Sequence, residues 1–339
     1  MRLVHTGFGG WGLDWARIVR DTPEVEAVAV SDPDPVALAA ARARYGLPEH
    51  ACFARLERAL AETEADAVLI TAAARAHAPL ALSALEAGKH VLVEKPFALT
   101  LAEAQAVVDA AAARNRVLMV SQNYRFFPAP WAVRELVAEG AIGEVGSVYT
   151  DFRVNMVRRL RAGHPYLALS DPLLLDMAIH HFDLMRFTLG EAVGVNCSSW
   201  NPSDSPFTHA PVASAVVRLE TGTVSYRGSW LGGPPTQWAG VWRLEGSRGQ
   251  LGWTSRNGRD LSGERVTLRG RRVALPELPH TGRRGVLGAF AEAVASGHEL
   301  TNHEPPNHEP PSSGRSNLGT LALTLGAVAS AAAGRAVSL

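Results

Sequence analysis

The chain is poor in cysteine, with only Cys52 and Cys197 among 339 residues. These two lie far apart and lack partners at zinc-ligand spacing, which excludes a readable disulfide framework and a cysteine-based metal centre. Charge of one sign is also missing, since 33 basic side chains balance 33 acidic ones. Without the basic footprint that phosphate-backbone binding leaves, nucleic acid is not an expected partner, and a small molecule is. Long apolar runs are scarce. Only 316–334 is uncharged over such a length, and its Gly, Ala, Ser and Thr content suits a closely packed buried helix better than a membrane span. Met1 to Thr6 runs into Gly7 with neither a charged n-region nor a cleavable apolar stretch, so the expectation is a cytoplasmic protein with no membrane partner.

What is present is enough apolar sequence, 47%, for two domains with real cores. The first 120 residues alternate short β-branched runs with helical stretches, the pattern of a parallel sheet covered by helices. Strands are predicted at Arg2 to Thr6, Val25 to Ser31, Ala67 to Thr71, His90 to Val93 and Val117 to Val120. Asp34 before Pro35, and Thr100 with Glu103, read as helix starts, and Gly88 as a helix stop. After Ser121 a helix around Trp131 to Glu139 gives way to longer alternating runs, Val145 to Asn155, Val212 to Leu219 and Thr223 to Leu231, which read as an antiparallel sheet. This predicts domains of 1–121 and 122–339. Trp200, Trp230, Trp238, Trp242 and Trp253 crowd the second, as core or as a subunit interface, core being the better account.

Gly7-Phe8-Gly9-Gly10-Trp11-Gly12 is a GxGxxG directly after a predicted strand and at the start of an amphipathic helix reaching about Arg20. The first Gly permits the tight turn, the second lets backbone approach a pyrophosphate, and the third lets helix and strand pack closely. Asp32 ends the next strand, where a carboxylate accepts hydrogen bonds from an adenosine ribose. A fixed carboxylate repels a 2′-phosphate, and no Arg follows before Arg42, so NAD is predicted over NADP.

Two further stretches carry chemistry. Glu94-Lys95-Pro96 follows the strand His90 to Val93 and so falls at the carboxyl end of the sheet, where such folds place ligands. A lysine there can hydrogen-bond a reacting oxygen; taken alone, the tripeptide also suits a surface turn. Asp171 and Pro172 read as a helix start and Gly190 as its stop. On that helix Asp176, His180 and Asp183 share one face, with His181 about 100° away. Imidazole titrates in the range needed to take a hydroxyl proton while hydride leaves carbon, and a neighbouring carboxylate can orient it; a core histidine satisfied by an aspartate is the competing account. The doubled pentapeptide Asn302-His303-Glu304-Pro305-Pro306 and Asn307-His308-Glu309-Pro310-Pro311 reads as an extended loop, and nothing in it fixes a metal geometry, so no metal is expected.

GFGGWG at Gly7 to Gly12, AGKHVLVEKP at Ala87 to Pro96, Asp176 with His180 in DMAIHHFD, and the terminal GRAVSL resemble the Gfo/Idh/MocA oxidoreductases over essentially the whole chain. The resemblance implies an N-terminal Rossmann domain, a doubly wound parallel sheet, and a C-terminal α+β domain built on a large open, mainly antiparallel sheet that commonly packs against a second copy in a dimer or tetramer. It implies Lys95, Asp176 and His180 as catalytic residues. It further implies Thr71, Ala72, His77, Glu94 and Asn123 as cleft-lining residues and a cis Lys95–Pro96 bond. Two departures from the family pattern, Ala178 where Gly is usual and Ser170-Asp171-Pro172 where a Gly-rich turn is common, bear on substrate identity. The expected function is NAD(P)-dependent oxidation of a secondary hydroxyl on a sugar, cyclitol or related polyol, or the reverse. The alternatives are a redox-assisted glycosidase and a dinucleotide-bound regulatory protein. Arg125, Arg153, Arg158, Arg159, Arg161 and His164 read first as solvated groups, and as carboxylate or phosphate ligands if turned inward.

Overall fold

A computed structural model describes residues 1–255, 263–296 and 310–339. The chain divides into two compact units, Met1–Phe126 with Pro279–Leu318, and Phe127–Leu278 with Gly319–Leu339.

The first unit opens with β1 (Arg2–Thr6), α1 (Gly10–Arg20), β2 (Glu26–Ser31), α2 (Pro35–Tyr45), β3 (Cys52–Phe53), α3 (Leu56–Glu62), β4 (Ala67–Ile70), α4 (Ala74–Glu86), β5 (His90–Val93), α5 (Leu101–Ala113) and β6 (Leu118–Val120). Its six strands lie in the order β3-β2-β1-β4-β5-β6, all parallel. This is the doubly wound order, with every strand's carboxyl end on one edge. The strands are short continuous apolar runs because helices cover both faces, and β4 is buried at every residue. Local sequence sets the helix starts. The Asp34 side chain accepts from the Val36 amide at 2.8 Å, and Thr100 with Glu103 forms a reciprocal capping box.

The second unit contains α6 (Pro128–Ala138), β7 (Val145–Arg153), α7 (Ile179–Leu189), β8 (Ala192–Trp200), β9 (Val212–Leu219), β10 (Gly222–Ser229), β11 (Val241–Gly246), β12 (Gly249–Ser255), β13 (Glu264–Leu268) and β14 (Arg271–Arg272). In the last part of the chain, α8 (Gly282–Ala295) belongs to the first unit, α9 (Gly314–Ala333) starts there and continues into the second, and β15 (Val337–Ser338) closes the second. Nine strands form a sheet ordered β14-β13-β12-β11-β7-β10-β9-β8-β15, antiparallel throughout except for β7 beside β10. Its strands alternate buried and exposed, as in β9, so one face is core and the other faces solvent. Trp230, Trp242 and Trp253 are wholly buried, the last two stacked at 5.4 Å as cross-strand partners, whereas Trp200 is 65% exposed.

The division differs from a single cut after residue 121. The chain returns, and α8 lays Val286, Leu287, Phe290 and Ala291 into the same core as Leu3, Trp15, Leu69 and Phe126. The sequence offers no local signal for this, because an amphipathic helix does not announce which sheet it will cover. Among the described residues α9 is the one helix long and apolar enough to cross a membrane. Within the second unit its Thr320 hydroxyl donates to Asp183 and Ser330 accepts from the Cys197 amide, so its polar side chains are used in packing against protein.

Candidate active site

The first unit gathers its predicted cofactor residues at the carboxyl edge of the sheet. A cleft of about 630 Å³ is lined by Gly7, Phe8, Gly9, Gly10, Trp11, Asp32, Thr71 and Ala72, with Arg55 and Arg75 on its rim. Gly7 has φ +90°, a left-handed conformation, and a Cβ there would collide with Ala72 backbone. Gly12 is buried below the turn, and a Cβ on it would strike the Gly7 carbonyl. Gly9 and Gly10 meet nothing within 4 Å, so open space lies where a pyrophosphate would approach the first amides of α1, which by helix geometry have no carbonyl of their own. The residues therefore fit a dinucleotide. Asp32 accepts from the Phe8 amide at 2.6 Å and the Asp34 amide at 2.8 Å, which fixes its carboxylate in the cleft and leaves acceptor capacity on both oxygens.

Farther along the same edge, Glu94 and Lys95 follow β5, and the Lys95–Pro96 bond is cis. Glu94 accepts from the Trp15 indole at 2.7 Å and the Lys95 amide at 3.2 Å. His77, inside α4, bridges the Pro96 carbonyl at 2.7 Å and the Ala72 carbonyl at 2.9 Å, tying the loop after β4 to the loop after β5. Asn123 opens a short 3-10 turn just past β6. These four do not line the glycine-turn cleft; His77 joins it through Ala72.

The second unit holds the Asp176 and His180 segment. Pro172–Ala178 is a π-helical stretch that becomes the α-helix α7 at Ile179. Asp176 thus stands in the i→i+5 stretch and His180 in the first turn of α7. Asp171 precedes it in a left-handed conformation, φ 43°, and makes no capping hydrogen bond, so the expected cap is absent. Asp176 accepts from the Tyr166 hydroxyl at 2.7 Å. Burial first, then the adjacent Asp176 charge, push the Tyr166 phenol up, so it remains a donor. No spacing rule marks Tyr166, which lies in a short 3-10 turn, Pro165–Ala168. His180 is buried. His181 is a core histidine, bonded to the Tyr226 hydroxyl at 3.0 Å and the Trp238 carbonyl at 2.8 Å, and burial pushes it down to about 4. Asp183 accepts from Thr320 and serves packing.

The arginines divide. Arg125 is buried and donates to the Pro311 carbonyl at 2.6 Å, Arg153 pairs with Asp151 at 2.9 Å, and Arg159 lies over the Trp238 ring. His164 accepts from the Tyr166 amide at 3.1 Å. Among the described residues no group of three or more His, Cys, Asp or Glu could hold a metal, and residues 302–309 of the doubled pentapeptide lie outside them.

Residues 1–122 match the model of an oxidoreductase family with an NAD-binding Rossmann fold, and residues 131–251 match the GFO/IDH/MocA C-terminal domain. D-apiose dehydrogenase of Paraburkholderia graminis is 31% identical over 220 residues, which is 65% of this chain and 57% of that protein, so the chain spans little more than half of that relative. The structure of a putative myo-inositol dehydrogenase from Sinorhizobium meliloti is 26% identical, covers 100% of this chain and 99% of its own, and superposes with a TM-score of 0.76. An oxidoreductase from Agrobacterium radiobacter, crystallised with NAD+, L-tartaric acid and magnesium, shares the fold at a TM-score of 0.83 and 23% identity over 100% of this chain and 98% of its own. With both regions matched in order, the chain belongs to the Gfo/Idh/MocA oxidoreductase family.

Proposed function

We propose that the chain is an NAD-dependent dehydrogenase that oxidises a secondary hydroxyl of a sugar, cyclitol or related polyol, or reduces the corresponding ketone. The observation that carries this reading is the first unit's cleft: an open glycine turn at a helix N-terminus beside a fixed Asp32, on the edge where Lys95 emerges from β5. The names of the relatives, a D-apiose dehydrogenase and a putative myo-inositol dehydrogenase, support a polyhydroxylated substrate. NAD, when bound there, would supply the hydride acceptor. The turn from Gly7 to Gly12 would hold its pyrophosphate and Asp32 its adenosine ribose, with Thr71 and Ala72 lining the cleft and His77, Glu94 and Asn123 farther along the same sheet edge. Lys95 donates a hydrogen bond to the reacting oxygen, His180 takes the hydroxyl proton on a ring nitrogen, and Asp176, held by Tyr166, orients His180.

The test is NADH binding measured beside turnover across a polyol panel. Lys95→Met and His180→Asn should each keep NADH affinity within a few-fold and lose at least about 100-fold in kcat, the scale of one acid–base group. Full turnover in either variant refutes its role. A second copy is proposed to cover the solvent face of the nine-stranded sheet, where Tyr149, Val216 and Val241 stand exposed around the Asp151–Arg227 ion pair. Light scattering that shows only monomer at micromolar concentration overturns that assignment.

A further inference from the structure

A line of polar side chains runs beneath the glycine turn. His5 is wholly buried in β1, a strand whose other central residues are apolar. Its Nδ1 lies 2.8 Å from the Tyr45 hydroxyl at the end of α2, and its Nε2 lies 2.8 Å from the Thr71 hydroxyl just past β4. Thr71 in turn reaches the Gly7 carbonyl in a short hydrogen bond. Phe8 packs on the imidazole, ring centroids 4.3 Å apart, and closes the line from above.

The direction of every bond follows from what each group can do. The Gly7 carbonyl only accepts, so Thr71 spends its one proton there. Thr71 must then accept from His5, which places the imidazole proton on Nε2. Nδ1 is left with a lone pair, and Tyr45 donates to it. Burial holds His5 down to about 3 and pushes the Tyr45 phenol up, so neither group changes protonation near neutrality.

The far end of the line is the significant one. The Gly7 carbonyl and the Phe8 amide belong to a single peptide plane. Thr71 grips its oxygen, and Asp32 accepts from its N–H at 2.6 Å. One rigid plane is thus pinned from both sides, by the buried line and by the carboxylate read above as the ribose acceptor. We propose that Tyr45 and His5 are positioning residues for the dinucleotide: acting through Thr71, they set the Gly7–Phe8 peptide plane, and with it the carboxylate of Asp32 and the aim of the turn's amides. Neither residue is among those lining the cleft. The inference rests on the NAD-binding reading of the cleft.

The experiment is direct binding of NADH, followed by nicotinamide fluorescence, and of ADP-ribose, by calorimetry, with melting temperature recorded for each protein. Tyr45→Phe removes one hydroxyl without altering burial. His5→Leu removes both imidazole bonds, while His5→Gln keeps a donor toward Thr71 and an acceptor toward Tyr45. Tyr45→Phe should weaken both ligands about 3- to 10-fold and His5→Leu about 10-fold or more, with His5→Gln within about 3-fold of wild type. ADP-ribose has no nicotinamide, so equal losses for both ligands locate the effect at the adenosine and pyrophosphate end. Tyr45→Phe and His5→Leu proteins that melt lower yet bind both ligands like wild type would overturn the proposal, as would His5→Gln as weak as His5→Leu. A wild-type protein that binds neither ligand would instead refute the NAD-binding reading beneath it.

Discussion

Asp32 combines two tasks, fixing the first turn through the Phe8 and Asp34 amides and presenting charge to the adenosine end of the cleft. On the NAD-binding reading proposed above, the second task would set cofactor choice. A 2′-phosphate would meet a carboxylate that cannot swing away, and Arg55 on the rim already pairs with Glu57 at 3.3 Å. NADH should therefore bind more tightly than NADPH by about 10-fold or more, and Asp32→Asn should narrow the gap; competitive titration that finds NADPH the tighter ligand contradicts this. Glu264 carries a different residue-scale consequence. Burial pushes its carboxyl from an ordinary 4.5 up to about 7, although it accepts from the Ala129 amide at 3.0 Å at the start of α6. Because the folded protein holds this proton more tightly than the unfolded chain, the associated stability is full below pH 4.5 and is lost as pH rises through about 7. Glu264→Gln keeps an acceptor for Ala129 and cannot ionise. Its stability relative to wild type should rise across that window by up to about 3 kcal/mol, as read by denaturation at several pH values; a difference that does not vary with pH removes the account.

At the scale of elements, helix ends are the clearest local statements in the chain. Thr100 accepts from the Glu103 amide at 3.2 Å while the Glu103 carboxylate accepts from the Thr100 amide at 3.1 Å. Thr100→Ala should cost about 1 kcal/mol, with NADH affinity unchanged because α5 does not touch the cleft; a loss below about 0.3 kcal/mol would show that the cap carries no load. Such ends were legible because they need only neighbours in sequence. The parallel strands were legible for the same reason, as apolar runs between glycine and proline punctuation, and so was the strand-turn-helix that carries Gly7 to Gly12. β3 is two residues long, too short for any periodicity, and went unpredicted. The π-helical stretch escaped as well, because nothing in Pro172–Ala178 distinguishes an i→i+5 ladder from an i→i+4 one. Tyr166 and Tyr45 are partners in space with no fixed spacing to Asp176 or His5. A histidine within a buried strand was the one available sign of the line under the glycine turn.

For the whole molecule, the decisive property is that the first unit is discontinuous. Its core is completed by α8, where Val286, Leu287 and Phe290 are wholly buried, each worth roughly 1.5–3 kcal/mol of transfer out of water. A fragment of residues 1–126 should thus lack sharp unfolding and bind a hydrophobic dye. The same fragment joined through a flexible linker to 279–318 should unfold cooperatively and bind NADH. A cooperative, NADH-binding 1–126 fragment would show that the returning helix is dispensable. The arrangement also orders events during synthesis. Strands β1 to β6 leave the ribosome early, but their covering helix is separated from them by roughly 150 residues, which at translation speeds of about 5–20 residues per second is a delay of roughly 8–30 s. For that interval a nascent nucleotide-binding sheet carries an uncovered greasy patch, and the protein's yield in a cell should depend on chaperones that shield the patch until the last fifth of the chain emerges.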